Sequence, residues 1–241
     1  MRQDYVGWLA EQKYAENTQS VQIYRVKKVE EYYGDLEEHL RNNTYEEVIN
    51  SLKYSTQDER SDKANPSKIR FDGNIRNNLQ SYKNAAVRYR KFLTGTNFRA
   101  TPVEEIESTS DDFSDNENTN QKLSLERDMQ AALRHNIEKL DPDLKVIDDG
   151  AERSVDSGLI DITCEDIDSI VVVELKAGKA DSRAIGQILG YMGDLQEEED
   201  KPVRGVLVAH DFDKRTKAAA RIVPSLELKK YSIEFKFTTV D

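Results

Sequence analysis

Across residues 1–100, apolar and aromatic residues recur at intervals of three and four, as in Tyr5, Trp8, Leu9 and then Val21, Tyr24, Val29 on either side of a polar break at Asn17–Ser20. That spacing lines one side of a helix, so the pattern predicts a bundle of short helices. Further helices are expected over 35–41, 44–52 and 74–93, the last with Ile75, Leu79, Ala86, Tyr89 and Phe92 near one side. Asn65, Pro66 and Ser67, then Asp72, Gly73 and Asn74, punctuate the chain before it, and Asn74 is placed to cap its first turn.

The pattern lapses over residues 101–121, TPVEEIESTSDDFSDNENTNQ, which hold few apolar anchors and many acids, and an extended interdomain linker is expected there. From Lys122 a helical period resumes through Leu125, Met129, Ala132, Leu133 and Ile137, ending at Asp141 and Pro142. Strands are then expected at 144–147, 158–163 and 169–175, a helix at 184–195, a buried-type strand at 203–208, a helix at 214–222 and a closing strand at 231–237. The order α-β-β-β-α-β-α-β describes an α/β domain, a central mixed sheet flanked by helices, preceded by a mainly helical N-terminal domain. The expected division is a helical domain at 1–100, an acidic linker at 101–121 and the α/β domain at 122–241.

Composition narrows the function. The 241 residues carry 35 Lys and Arg against 46 Asp and Glu, a formal net charge of −11, which argues against indiscriminate coating of DNA. The balance is local: residues 61–100 hold nine basic and two acidic side chains, whereas residues 122–241 hold 18 against 25. No run approaches the length of a membrane span, and no apolar segment follows Met1 and Arg2 to form a secretion signal. The single cysteine, Cys164, excludes an internal disulfide and a multi-thiolate zinc site, so a reducing, cytoplasmic location is expected. His39, His135 and His210 lie far apart, without metal-ligand spacing.

The chemistry concentrates in two strands. Gly158-Leu159-Ile160-Asp161-Ile162 and Val171-Val172-Val173-Glu174-Leu175-Lys176 each set charge in an apolar context. Glu174 and Lys176 are two apart and share a strand face, and a neighbouring strand can bring Asp161 to them. Two ionised carboxylates held close repel unless a proton or cation compensates. Mg²⁺, or Mn²⁺, would do so, taking Asp161, Glu174, a backbone carbonyl such as that of Leu175, phosphate oxygens and water as ligands, while Lys176 handles the attacking water. An isolated Glu-x-Lys is usually an ordinary surface pair; Asp161 upstream is what singles this one out.

At this point the sequence resembles the PD-(D/E)xK nuclease superfamily, and most closely the C-terminal catalytic domain of NucS-type endonucleases, over roughly 123–237. The segments that carry the likeness are LERDMQAAL, GLIDITC, VVVELKAGKA, GQILGYMGDL and VRGVLVAH, in that order. The resemblance implies a restriction-endonuclease-like fold, with Asp161 and Glu174 as metal ligands, Lys176 as the water-handling group, Gln187 and Tyr191 as supporting residues and Glu126 as a further acid of the site. Gln187 and Tyr191 are four apart, which places them on one helix face. Two positions depart from the family pattern: Leu159 stands where a basic residue is usual, and Gly190 where the helix often carries Arg. The family's N-terminal domain is β-rich, whereas residues 1–100 here read as helical, so mismatch recognition does not carry over.

The expected activity is a Mg²⁺-dependent DNA endonuclease, serving restriction, phage defence or repair. The alternatives are a non-catalytic DNA-binding or regulatory protein that keeps the nuclease fold, and a ribonuclease. A homodimer would let two sites cut opposite strands, and the front domain is alternatively a docking surface for a defence-system partner. Arg76, Lys83, Arg88, Arg90, Lys91 and Arg99, with Tyr82, Tyr89 and Phe98 for base stacking, form the expected nucleic-acid surface.

Overall fold

The computed structural model describes residues 1–95, 115–233 and 238–239, with backbone alone for 115–124. The first part is helical as expected: α1 (Tyr5–Glu11), α2 (Glu16–Tyr33), α3 (Leu36–Arg41), α4 (Tyr45–Ser51), α5 (Thr56–Arg60) and α6 (Ile75–Thr94). The Asn17–Ser20 break is absent, because those polar residues form the exposed and half-buried first turn of α2. The short α5 carries no apolar period; Ser55 and Asp58 create it through a reciprocal capping box. Asn74 caps α6, its side chain accepting from the Asn77 N–H. These helices enclose their own core around Leu9, Val26, Val29, Leu36, Leu52, Leu79 and Ala86. Tyr5 meets Tyr89 edge-on at 4.9 Å between ring centres, fastening α1 to α6.

The second part begins with α7 (Asp115–Arg134), so the acidic stretch through Gln121 is helical rather than extended; residues 96–114 lie outside the described ones. Strands β1 (Lys145–Val146), β4 (Ile162–Glu165), β5 (Ile170–Ala180), β6 (Val203–Phe212) and β7 (Leu226–Lys230) form a sheet in the order β1-β4-β5-β6-β7. Pairing is antiparallel from β1 to β5 and parallel from β5 to β7. Helices α8 (Ser182–Glu198) and α9 (Lys214–Ala220) follow β5 and β6 and supply the crossovers.

Two expectations need correction here. The segment 158–163 is not one strand: β3 (Gly158–Ile160) pairs with β2 (Arg153–Val155), a strand the sequence did not suggest, and the chain then kinks at Asp161 before entering β4. The closing strand is Leu226–Lys230, ahead of the expected 231–237; residues 231–233 are not strand and 234–237 lie outside the described residues.

Side-chain alternation splits the core. Val171, Val173, Leu175, Val206 and Val208 pack with Met129 and Leu133 of α7 on one face. Val172, Leu207 and Ala209 pack with Ile188, Tyr191 and Met192 of α8 on the other. Gly205 permits the close approach of α8, since a Cβ there would stand 2.6 Å from the Met192 sulfur. Cys164 is buried in the α7-side core. No helix among the described residues is long and apolar enough to cross a membrane.

Candidate functional site

The site forms where the Asp161 kink lies beside the second half of β5. Glu174 falls on the α8 face of the sheet by strand alternation and is 1% exposed. Lys176, two residues on, shares that face, and its Nζ lies 2.5 Å from Glu174 Oε1. Asp161 Oδ2 accepts the Leu175 N–H at 2.8 Å. Glu126 of α7 comes from the opposite side and accepts the Ala177 N–H at 3.1 Å. Three carboxylates thus meet Leu175, Lys176 and Ala177 in succession, at the point where β5 leaves regular register with β6.

Burial pushes the Asp161 carboxyl above the usual range; Lys176 and the Leu175 N–H pull it back only in part, and the neighbouring Glu152 and Glu126 raise it further. Tyr191 follows the same logic, with burial first and then Glu174 driving its hydroxyl far above the ordinary phenol value. Its oxygen accepts from the Gln187 amide at 2.8 Å, as the spacing of four on α8 predicts. Gly158 makes room for that ring: its φ is +144°, and a Cβ would lie 3.1 Å from the Tyr191 oxygen.

Leu159 is buried in the β2–β3 hairpin, at the position where a basic residue was expected by resemblance. Gly190 faces the hairpin turn, where a Cβ would lie 3.2 Å from Ser157 Oγ. Helix α8 therefore packs tightly on the turn at the point where the family motif carries Arg.

Three residues without any motif fix the Asp161 kink. Gln130 Nε2 donates to the Asp161 carbonyl at 2.5 Å, and Arg134, one turn later on α7, donates to the same oxygen. Arg134 also pairs with buried Asp148, whose other oxygen accepts the Thr163 N–H at 2.9 Å. The main chain on both sides of the kink is thereby tied to α7 through one buried ion pair. The only available sequence signal was the polar spacing of four, Gln130 to Arg134, on a helix otherwise read for its apolar face.

The expected nucleic-acid surface on α6 is not one. Arg88 is 1% exposed and donates to Gln22 at 2.8 Å, Tyr14 at 3.2 Å and the Glu152 carbonyl at 2.6 Å. Lys83 is buried against Glu198 at 3.2 Å, and Arg76 meets Glu199 at 2.6 Å. Arg90 pairs with Glu46 and Lys91 is half-buried; Tyr82 and Tyr89 are core residues. Arg99 and Phe98 lie outside the described residues. The α6 cations face carboxylates of β2 and α8, so they join the helical part to the α/β part. Burial alone would raise the Glu152 carboxyl, but Arg88, Lys91 and the Tyr14 hydroxyl outweigh it and hold the group down at about 2.

Among the described residues, no three of His, Cys, Asp and Glu are grouped as a metal-holding set. Asp161 and Glu174 with a main-chain carbonyl would be a two-carboxylate site of hard oxygen donors, and that chemistry suits Mg²⁺ or Mn²⁺.

Residues 125–236 match the family model described as the endonuclease NucS C-terminal domain. The endonuclease NucS of Thermococcus kodakarensis is 33% identical over 112 residues, 46% of this chain and 40% of that protein. That of Pyrococcus horikoshii is 38% identical over 86 residues, 35% of this chain and 31% of its own. The crystal structure of a repair endonuclease from Pyrococcus abyssi aligns with a TM-score of 0.39 and 29% identity, covering 52% of this chain and 49% of that one. The chain spans less than half the length of these curated relatives.

Proposed function

Residues 125–236 are a domain of the endonuclease NucS C-terminal family, and on that premise we propose that the chain is a metal-dependent DNA endonuclease that hydrolyses phosphodiester bonds by direct attack of water. The observation that carries this reading is the meeting of Asp161, Glu174 and Lys176 at the β4–β5 junction, joined by Glu126, Gln187 and Tyr191.

Asp161 and Glu174, with the Leu175 carbonyl, would hold Mg²⁺ or Mn²⁺, which when bound polarises the phosphodiester and lowers the pKa of a coordinated water. Lys176 orients the attacking water and offsets the negative charge that develops on the phosphate oxygens. Its four-carbon stem and strong hydration suit a group that moves between Glu174 and substrate. The Gln187 amide holds water or a phosphate oxygen, and Tyr191, kept protonated by burial, positions that amide. Glu126 extends the acidic set from α7. One such site cuts one strand per event, so double-strand cutting calls for a second copy of the chain. The same reading places the enzyme in the cytoplasm, where a lone buried cysteine stays reduced.

The test is parallel incubation of the purified chain with double-stranded, single-stranded and branched DNA and with RNA, with Mg²⁺, Mn²⁺ or chelator. DNA cleavage that needs the divalent ion and disappears in Lys176→Ala, with folding unchanged, supports the reading. Absence of metal-dependent cleavage on every DNA substrate overturns it, and cleavage confined to RNA replaces it with the ribonuclease alternative.

A further inference from the structure

With the α6 cations committed to the domain interface, a chain of net charge −11 needs another place to hold a polyanion. Strands β5, β6 and β7 are parallel, so their C-terminal ends, Ala180, Phe212 and Lys230, share one edge of the sheet. Ligands of open α/β sheets bind outside such ends. Exposed cations collect there: Lys179 near the end of β5, Arg183 in the first turn of α8, Lys214, Arg215 and Lys217 on α9, and Lys230 at the end of β7.

The backbone ties these elements together. The Asp213 N–H donates to the Ala180 carbonyl at 3.1 Å, and Lys179 stands opposite Asp211 in the β5–β6 register, which brings the start of α9 beside the end of β5. The acids of this edge already have local partners. Asp211 pairs with Lys217 and Lys230, Asp181 pairs with Arg183 at 3.3 Å, and Asp213 accepts the Thr216 N–H at 2.7 Å as the cap of α9. Six cations against these three acids leave the edge positive.

We propose that this edge binds the DNA phosphate backbone on the side of the scissile bond reached from Lys176, with Lys179, Arg183 and Arg215 as its principal contacts. The inference rests on the nuclease reading and extends it to the grip on substrate. Continuity with the site carries it. Arg183, Gln187 and Tyr191 are spaced by four along α8 and share one face, so Arg183, 92% exposed at its side chain, stands one turn outward from the amide that lies against Tyr191. Lys176 and Lys179 lie on the same strand, roughly 10 Å apart, about three nucleotides of backbone at a rise of about 3.4 Å each.

The experiment measures binding apart from cleavage, in the full chain carrying Glu174→Gln. Fluorescence anisotropy is read on a labelled duplex and on the matching single strand, in chelator, from about 50 to about 200 mM NaCl. Adding Lys179→Ala, Arg183→Ala and Arg215→Ala is expected to weaken binding to one or both forms by at least about tenfold at the lowest salt and to flatten the plot of log affinity against log salt by about 2 to 3. A control triple of exposed cations on the helical part, Lys27→Ala, Arg41→Ala and Arg70→Ala, is expected to leave both unchanged. Equal slopes for the edge triple and its parent overturn this inference while leaving the nuclease reading intact. A parent that binds neither form at any salt overturns both.

Discussion

Two stretches of this chain are rich in Lys and Arg, and the structure treats them in opposite ways. On α6, Lys83 and Arg88 are buried and face Glu198 and Glu152. At the C-terminal edge of the sheet, Lys179, Arg183, Lys214 and Arg215 stand in solvent beside the candidate site. Equal formal charge therefore serves cohesion in one place and is available to a polyanion in the other. What separates them is the neighbour. The α6 side chains are met by carboxylates from a second structural part, whereas the acids at the sheet edge are held by their own loops and helices. A buried cation with a buried partner is expensive to disturb, while an exposed one changes affinity with little effect on stability.

The largest effect expected from a single change lies at the junction both regions flank. Lys176→Ala is expected to slow single-turnover DNA cleavage by about 10² to 10⁴ with an unaltered thermal midpoint, read by gel kinetics and circular dichroism. Retained cleavage would remove Lys176 from the site. Next comes Arg88→Met, which strands Glu152 without its main cation and is expected to cost about 3–5 kcal/mol of stability in urea unfolding. A loss under about 1 kcal/mol would mean that α6 is held by its apolar contacts alone.

The same pair predicts a pH dependence. The Glu152 carboxyl lies at about 2 in the folded chain against an ordinary 4.5. A depressed carboxyl stabilises fully above the unfolded value, and that contribution, of order 3 kcal/mol, is lost as pH falls from about 4.5 toward about 2. Urea unfolding at successive pH values should show this slope in the parent and a shallower one in Arg88→Met.

Smaller again is Arg134→Ala, which frees the Asp161 peptide and is expected to lower cleavage about 10- to 100-fold, the usual range for a residue that orients a ligand. Arg134→Lys should recover part of the loss and shift its divalent-ion dependence less, an outcome that bulk destabilisation would not give. The smallest effect belongs to Lys53→Ala. Lys53 meets Asp156 at 2.6 Å across the same interface as Arg88, yet both side chains are exposed, so stability should change by about 1 kcal/mol or less. A larger change would erase the contrast between buried and exposed pairs on which the comparison rests.

The legible parts of the fold were those carried by local pattern. The periodicity of α6, the cap at Asn74 and the apolar run of β5 are written in consecutive residues. Glu174 and Lys176 were legible for the same reason, since alternation alone places them on one face. Strand β2 was hidden because Arg153, Ser154 and Val155 become buried only by pairing with β3 and packing against α6 and α8. The expected strand at 231–237 followed alternation that tertiary pairing does not use: β6 takes Leu226–Lys230 as its partner. Gln130, Arg134 and Asp148 went unread because their role is a main-chain carbonyl brought to them by a distant kink.

The sequence by itself determined the helical front part, the α/β order behind it, and the Asp161, Glu174, Lys176 set, because each depends on spacing along one strand or helix. Only the tertiary structure decided what the cations do. Whether an Arg is buried against a carboxylate or left in water depends on which surface docks over it, and the residues concerned, such as Arg88 and Glu152, are far apart in the chain. Desolvation and pairing are properties of that docking, and they separate the α6 cations from those at the edge of the sheet.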